Sequence, residues 1–187
     1  MKIAIFGGGF NPPHLGHIFI CDQVLAFTDN EEIWLMPYFT HPWEKNTIDP
    51  IHRYKMAKMV ENKKVKVSDI EMKMGRKNYT WETIDILLSK YPEHQFSWII
   101  GSDLWKDFFK WEKSEEFIKK IKILVFPRPG YPYEKLPDNV YTLTNKLLMT
   151  SNIASEKIRE MVRQGLPIKG LVLPEVEKYI LENKLYK

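Results

Sequence analysis

A single cysteine, Cys21, stands among 187 residues. No internal disulfide can form, and no zinc site built on several thiolates is available. No run of 18 apolar residues occurs, so no membrane span is expected. The opening "MKIAIF" is too short an apolar core for a signal peptide and has no small-residue cleavage site after it. The expectation is a cytoplasmic protein with no membrane partner. Net charge is small as well, +4 from 28 Lys and Arg against 24 Asp and Glu. It is spread along the chain, which gives no argument for nucleic acid and is compatible with a small anionic substrate. Internal repeats and low-complexity tracts are missing. So are the two common phosphate fingerprints, G-x-G-x-x-G and G-x-x-x-x-G-K-[ST].

What is present suits one globular domain over residues 1–187, with 44% apolar and 28% charged residues. Apolar runs recur at "KIAIF" (2–6), "EIWLM" (32–36), "VKVSD" (65–69), "FSWIIG" (96–101) and "KILVF" (122–126), with a weaker one at "VYTLT" (140–144). Several are nearly continuous, as buried parallel strands are. Helical patterns lie between them at about 14–27, 50–61, 80–90 and 103–120. The alternation predicts an α/β fold: a Rossmann-like, doubly wound, mainly parallel sheet of five to six strands. Two helices follow, at 155–165 with Gly165 as a stop and at 174–184 opened by Pro174. They are expected to pack on the sheet.

The stretch "IFGGGFNPPHLGH", Ile5 to His17, follows the first apolar run. With strand one ending near Phe6, Gly7, Gly8 and Gly9 would permit backbone angles closed to other residues and let a ligand approach. Asn11 suits a helix N-cap, and Pro12 and Pro13 suit a first turn, so a helix is expected from about His14. Its free N–H groups and positive dipole end would face the space above the strand and make an anion site. Open α/β sheets bind ligands at that edge. His14 and His17 share one face of the first turn, where imidazoles can donate to phosphoryl oxygens. Two other readings stay open. The stretch could be a plain strand–helix turn with a structural His pair. His14, His17 and Cys21 also share a helical face as metal ligands would, although a fourth ligand has no candidate.

"GGGFNPPHLGH" resembles the G-G-[ST]-F-[DN]-P-x-H-x-G-H box of the nucleotidyltransferase superfamily, whose two histidines bind the triphosphate of ATP during adenylyl transfer. The match covers Gly7, Gly8, Phe10, Asn11, Pro12, His14, Gly16 and His17. It departs at Gly9, where the family usually has a Ser or Thr that helps hold the acceptor's phosphate. Three later segments are similar to the nicotinate mononucleotide adenylyltransferase branch. "NYTWET" (78–83) implies Tyr79 and Thr80 at the acceptor's pyridine ring. "IIGSDLWKDFFKW" (99–111) implies Gly101 and Asp103 beside ATP, Asp103 holding ribose hydroxyls or positioning magnesium, and Trp111 stacking on the pyridine. "NIASEKIRE" (152–160) implies Ile153, Ser155 and Arg159 on the triphosphate, with Ala154 and Glu156 where a serine and a threonine are usual. "HPWEK" (41–45) stands in the place of a P-H-K-like loop and puts Lys45 on a phosphate. Arg53 opens the next helix, and "RPGYP" (128–132) and the C-terminal helix carry weaker echoes. Plainer roles exist for each: Thr80, Asp103 and Ser155 as helix caps, Trp111 as core, Arg159 as a surface charge.

The resemblance implies an enzyme that joins the AMP of ATP to nicotinate mononucleotide, giving deamido-NAD and pyrophosphate, with Mg2+ accompanying ATP. His14, His17 and Arg159 would be catalytic. ATP would lie on Gly7, Gly8, Gly9, Phe10, His14, Gly16, His17, Gly101, Asp103, Ile153, Ser155 and Arg159. The acceptor would lie on Gly9, Asn11, Lys45, Tyr79, Thr80 and Trp111. Nicotinamide mononucleotide as acceptor, a different transferase of the superfamily such as one acting on pantetheine phosphate, and a non-catalytic nucleotide binder stay open, as does a homo-oligomer.

Overall fold

The structure is a computed structural model that describes residues 1–40, 47–133 and 135–187. Six strands, β1 (Lys2–Gly8), β2 (Glu32–Pro37), β3 (Val65–Val67), β4 (Gln95–Gly101), β5 (Lys122–Phe126) and β6 (Val140–Thr142), lie in the order β3-β2-β1-β4-β5-β6. Every pairing in this sheet is parallel. The chain walks outward from β1 through β2 to β3, returns to β4 and walks out the other way. The switch point therefore lies between the C-terminal ends of β1 and β4, where such sheets bind ligands.

Side-chain alternation explains the near-continuous apolar runs. Ile3, Ile5, Trp98, Ile100, Ile123 and Val125 feed one buried cluster. Ala4, Phe6, Ile33, Leu35, Ile99, Leu124 and Phe126 feed a second. Both faces are covered by helices, so neither set of positions tolerates polar residues. The helices are α1 (Leu15–Phe27), α2 (Pro50–Lys58), α3 (Ile70–Met74), α4 (Thr80–Lys90), α5 (Ser102–Trp105), α6 (Ser114–Lys120), α7 (Ser155–Arg163) and α8 (Pro174–Glu182). Among the described residues no helix is long and apolar enough to cross a membrane.

The fold departs from the sequence reading in two places that matter for the site. The helix expected over 103–120 is broken into α5, a 3-10 turn at Phe108–Lys110, and α6. Trp111 leaves helical geometry at ψ 144°, and Lys113 is left-handed at φ 54°. The break lets Phe108 touch Phe117, with ring centroids 5.1 Å apart. Nine residues of unbroken helix would hold them roughly 13 Å apart. The C-terminal helices also do not lie on the sheet. Ile158 of α7 and Val176 and Ile180 of α8 close a third cluster around Met56 of α2. Gly165 (φ 68°) ends that stretch of chain and Pro174 starts α8, as expected.

A short helix absent from the sequence reading, α3, is tied to α4 by a buried carboxyl. Thr83 Oγ1 donates to Glu71 Oε1 at 2.7 Å, and Asn78 Nδ2 donates to Thr83 Oγ1 at 2.9 Å. Burial raises the Glu71 carboxyl to about 7, opposed by the hydrogen bonds from Thr83 and Asn78. The folded protein thus holds a proton that the unfolded chain releases near the ordinary value of 4.5. Stability from this group is complete below the lower value and is lost as pH rises through the upper one. Replacing it by the always-neutral isostere in Glu71→Gln should remove that loss. Relative to wild type, the variant should gain on the order of 3 kcal/mol of unfolding free energy between pH 4.5 and 7.5, measured by urea titration at each pH.

Candidate functional site

The glycine stretch serves space rather than unusual backbone angles. β1 runs on through Gly8, and none of Gly7, Gly8 and Gly9 has positive φ; the chain turns at Phe10, φ 46°. A Cβ on Gly7 would collide with the Trp98 ring, and one on Gly9 would come 2.6 Å from Tyr38 Oη. Asn11 is not the helix N-cap. His14 is, in extended conformation, and α1 begins at Leu15. Asn11 is instead buried and used by the C-terminal region: Tyr186 Oη donates to its Oδ1 at 2.8 Å and Arg159 Nη1 to its carbonyl at 2.9 Å. The first N–H of α1, on Leu15, is also engaged, donating to Leu171 O at 2.8 Å. The anion site expected from the helix start therefore has one donor fewer.

The two histidines form one unit. The His14 N–H donates to His17 Nδ1 at 3.1 Å, which fixes the His17 proton on Nε2 in the neutral ring. The rings stack at 3.7 Å between centroids with 29° between planes. Gly16 makes this possible, since a Cβ there would lie 2.9 Å from His14 Nδ1. Burial first, and then the Arg128 charge, lowers His14 to about 4. Burial, His14 and Arg128 hold His17 well below the usual imidazole range. Both rings are thus neutral near pH 7. The metal reading fails: Cys21 is 1% exposed in the apolar core, burial pushes its thiol up, and no three His, Cys, Asp or Glu side chains converge among the described residues.

Each of the three downstream segments is capped by a different residue than the plainer reading named. Gly101 caps α5, and Asp103 sits in its first turn, paired with Arg128 at 3.0 Å. Asp103 Oδ1 is buried with no partner among the described residues. Tyr79, not Thr80, caps α4, and its N–H donates to Glu82 Oε2 at 2.8 Å. Ala154, not Ser155, caps α7, which frees the Ser155 hydroxyl to donate to Pro12 O at 2.9 Å. Arg159 is only half-exposed, whereas Glu156 points to the exposed surface. Ile153 packs on Gly16, and its carbonyl accepts a long 3.5 Å bond from Arg128 Nη2. Lys45 lies outside the described residues.

A cavity of about 370 Å³ opens at the switch point. Gly7, Gly8, Gly9, Tyr79, Thr80, Gly101 and Trp111 line it, together with Tyr38, Glu71, Trp98 and Glu112. The break before α6 is what brings Trp111 here. His14, Gly16, His17, Asn11, Ser155 and Arg159 are outside this lining and gather around the Phe10–Pro12 turn. This cluster and the cavity lining thus adjoin along Gly8, Gly9 and Phe10. Arg128, Tyr38 and Glu71 received no role from the sequence. Arg128 was visible within "RPGYP", and the small residue at position 9 was the one signal for Tyr38.

Comparisons with known proteins show the family. The cytidylyltransferase-like family matches residues 5–161. The probable nicotinate-nucleotide adenylyltransferase of Bacillus licheniformis is 33% identical over 190 residues, spanning 100% of this chain and 98% of that protein. The nicotinate-nucleotide adenylyltransferase of Bacillus subtilis is 34% identical over 190 residues, with the same coverage of 100% and 98%. The Plasmodium falciparum nicotinic acid mononucleotide adenylyltransferase complexed with NaAD superposes with a TM-score of 0.85 over 99% of this chain and 97% of that one; at 22% identity this is a likeness of fold. The histidine box thus sits in a chain that, over its whole length, belongs to the nicotinate-nucleotide adenylyltransferases, nucleotidyltransferases of NAD biosynthesis within the cytidylyltransferase-like family.

Proposed function

We propose that the chain transfers AMP from ATP to nicotinate mononucleotide, with ATP's phosphates on the His14–His17 side and the acceptor in the cavity under Trp111. The observation that carries this reading is that the histidine cluster adjoins the cavity along Gly8, Gly9 and Phe10. It allows an acceptor phosphate from one side to reach an α-phosphorus held on the other. The acceptor phosphate is already an anion, so the reaction needs no strong general base. Positioning and charge stabilisation suffice. That matches a site with imidazoles and guanidinium groups and no activated nucleophile.

The side chains divide this work. His17 offers its Nε2–H to phosphoryl oxygens, its tautomer set by the His14 backbone. Burial and Arg128 keep both rings neutral, and incoming phosphate charge acts in the opposite direction, favouring uptake of a proton by the pair. Arg159 uses one N–H on Asn11 O and retains the rest of its five donors for the triphosphate. The Asp103 charge is offset by Arg128, which suits ribose hydroxyls better than a metal ion. Magnesium bound with ATP would supply neutralisation of phosphate charge. The described residues offer Asp103 and no multi-carboxylate cage, which fits an ion held mainly by phosphate oxygens and water. Trp111 supplies a stacking face and Thr80 a helix-start N–H for the nicotinate ring.

With ATP and magnesium, nicotinate mononucleotide should give deamido-NAD and pyrophosphate faster than nicotinamide mononucleotide gives NAD. Absence of product from both would overturn the reading. His17→Ala should lower kcat by about 10²- to 10³-fold while circular dichroism stays native. An undiminished kcat would remove the histidine from the chemistry.

A further inference from the structure

The departure at Gly9 has a counterpart elsewhere in the fold. A side chain at position 9 has no room, because its Cβ would lie 2.6 Å from Tyr38 Oη, 3.0 Å from Cζ and 3.2 Å from Cε1. The volume that a Ser or Thr would take is filled by a phenol arriving from the end of β2. Tyr38 and Gly9 both line the cavity that also contains Thr80 and Trp111. The phenol therefore sits on the acceptor side of the Gly8–Gly9 junction.

Tyr38 is also held firmly enough to act as a fixed donor. Its backbone N–H donates to Gly8 O at 3.3 Å, which extends the β1–β2 pairing beyond Pro37. The Arg53 guanidinium lies 4.5 Å from the centre of its ring. Arg53 is itself fully buried and immobilised by carbonyls, donating to Gly9 O at 3.0 Å and to Phe39 O at 2.7 Å. One cation thus fixes both the backbone of Gly9 and the ring that replaces its side chain. Its charge lies on the side where an acceptor phosphate would be drawn.

We infer that the Tyr38 hydroxyl takes over the phosphate contact that a residue-9 hydroxyl would make, donating to the phosphate of the mononucleotide acceptor, and that Gly9 is glycine to admit it. This rests on the acceptor assignment made above. Tyr38 and Gly9 then form one coupled pair: a hydroxyl is needed once, from either position, and both side chains together do not fit. The contact exists equally before and during phosphoryl transfer, so it affects acceptor binding and leaves kcat largely alone.

The test is steady-state kinetics with the acceptor and ATP varied in turn. Tyr38→Phe keeps the ring and its contact with Arg53, so the fold is preserved. It should raise the acceptor KM about tenfold or more, with kcat and the KM for ATP within about twofold of wild type. Tyr38→Ala should raise the acceptor KM at least as much, and adding Gly9→Ser to Tyr38→Ala should recover most of the loss. Gly9→Ser alone, with Tyr38 in place, should weaken acceptor binding. An unchanged acceptor KM in Tyr38→Phe, an equal rise in both KM values, or a double variant no better than Tyr38→Ala would each overturn the inference. Lack of any wild-type turnover would instead overturn the acceptor assignment beneath it, so the two failures are distinct.

Discussion

The turn from Phe10 to Pro12 is held from the far end of the chain, and the site depends on that hold. Arg159 and Ser155 of α7 donate to the carbonyls of Asn11 and Pro12, each at 2.9 Å, and Tyr186 donates to Asn11 Oδ1 at 2.8 Å. The Leu171 carbonyl accepts the first N–H of α1. Backbone carbonyls in a buried turn must be satisfied. Here the groups that satisfy them are the same ones that bring α7 beside the histidines. The C-terminal helices and the histidine turn are therefore held together by the same contacts. The third apolar cluster, around Met56, anchors these helices to α2 and through it to the sheet.

A second constraint is volume. Gly16 lies under the His14 ring, Gly7 under Trp98 and Gly9 under Tyr38. In each case a large planar side chain takes the space of the absent Cβ, from across the sheet for Gly7 and Gly9 and from two residues earlier for Gly16. Buried packing at near-crystalline density leaves no slack at such points. The glycines of the box thus report on what stacks against them more than on backbone freedom, since none of Gly7, Gly8 and Gly9 adopts positive φ.

Electrostatics follow from this packing. Stacking two imidazoles in a buried turn near Arg128 excludes their protonation in the protein's own field. Imidazoles that begin neutral carry no unpaired buried charge, and in the proposed role they would gain from a polyanion. Asp103 and Arg128 neutralise each other nearby. The two histidines and the Asp103–Arg128 pair therefore store little net charge before any substrate binds.

The amino-acid sequence by itself determined the α/β class, the six strands, and the histidine box, because these are local. Periodicity of burial is written residue by residue, and "GGGFNPPHLGH" is contiguous. Trp111 and Asp103 were picked out for the same reason, through a G-x-D and a tryptophan within one segment, and the structure sets Trp111 in the cavity wall. The tertiary structure alone decided which residue caps each helix, because Asn11 is claimed by Tyr186 and Arg159 from across the chain. It decided that the 103–120 stretch breaks, because Phe108 must reach Phe117. It also decided what stands at position 9: local sequence records a missing hydroxyl, and only packing between strand ends brings Tyr38 into the space the missing side chain would have filled.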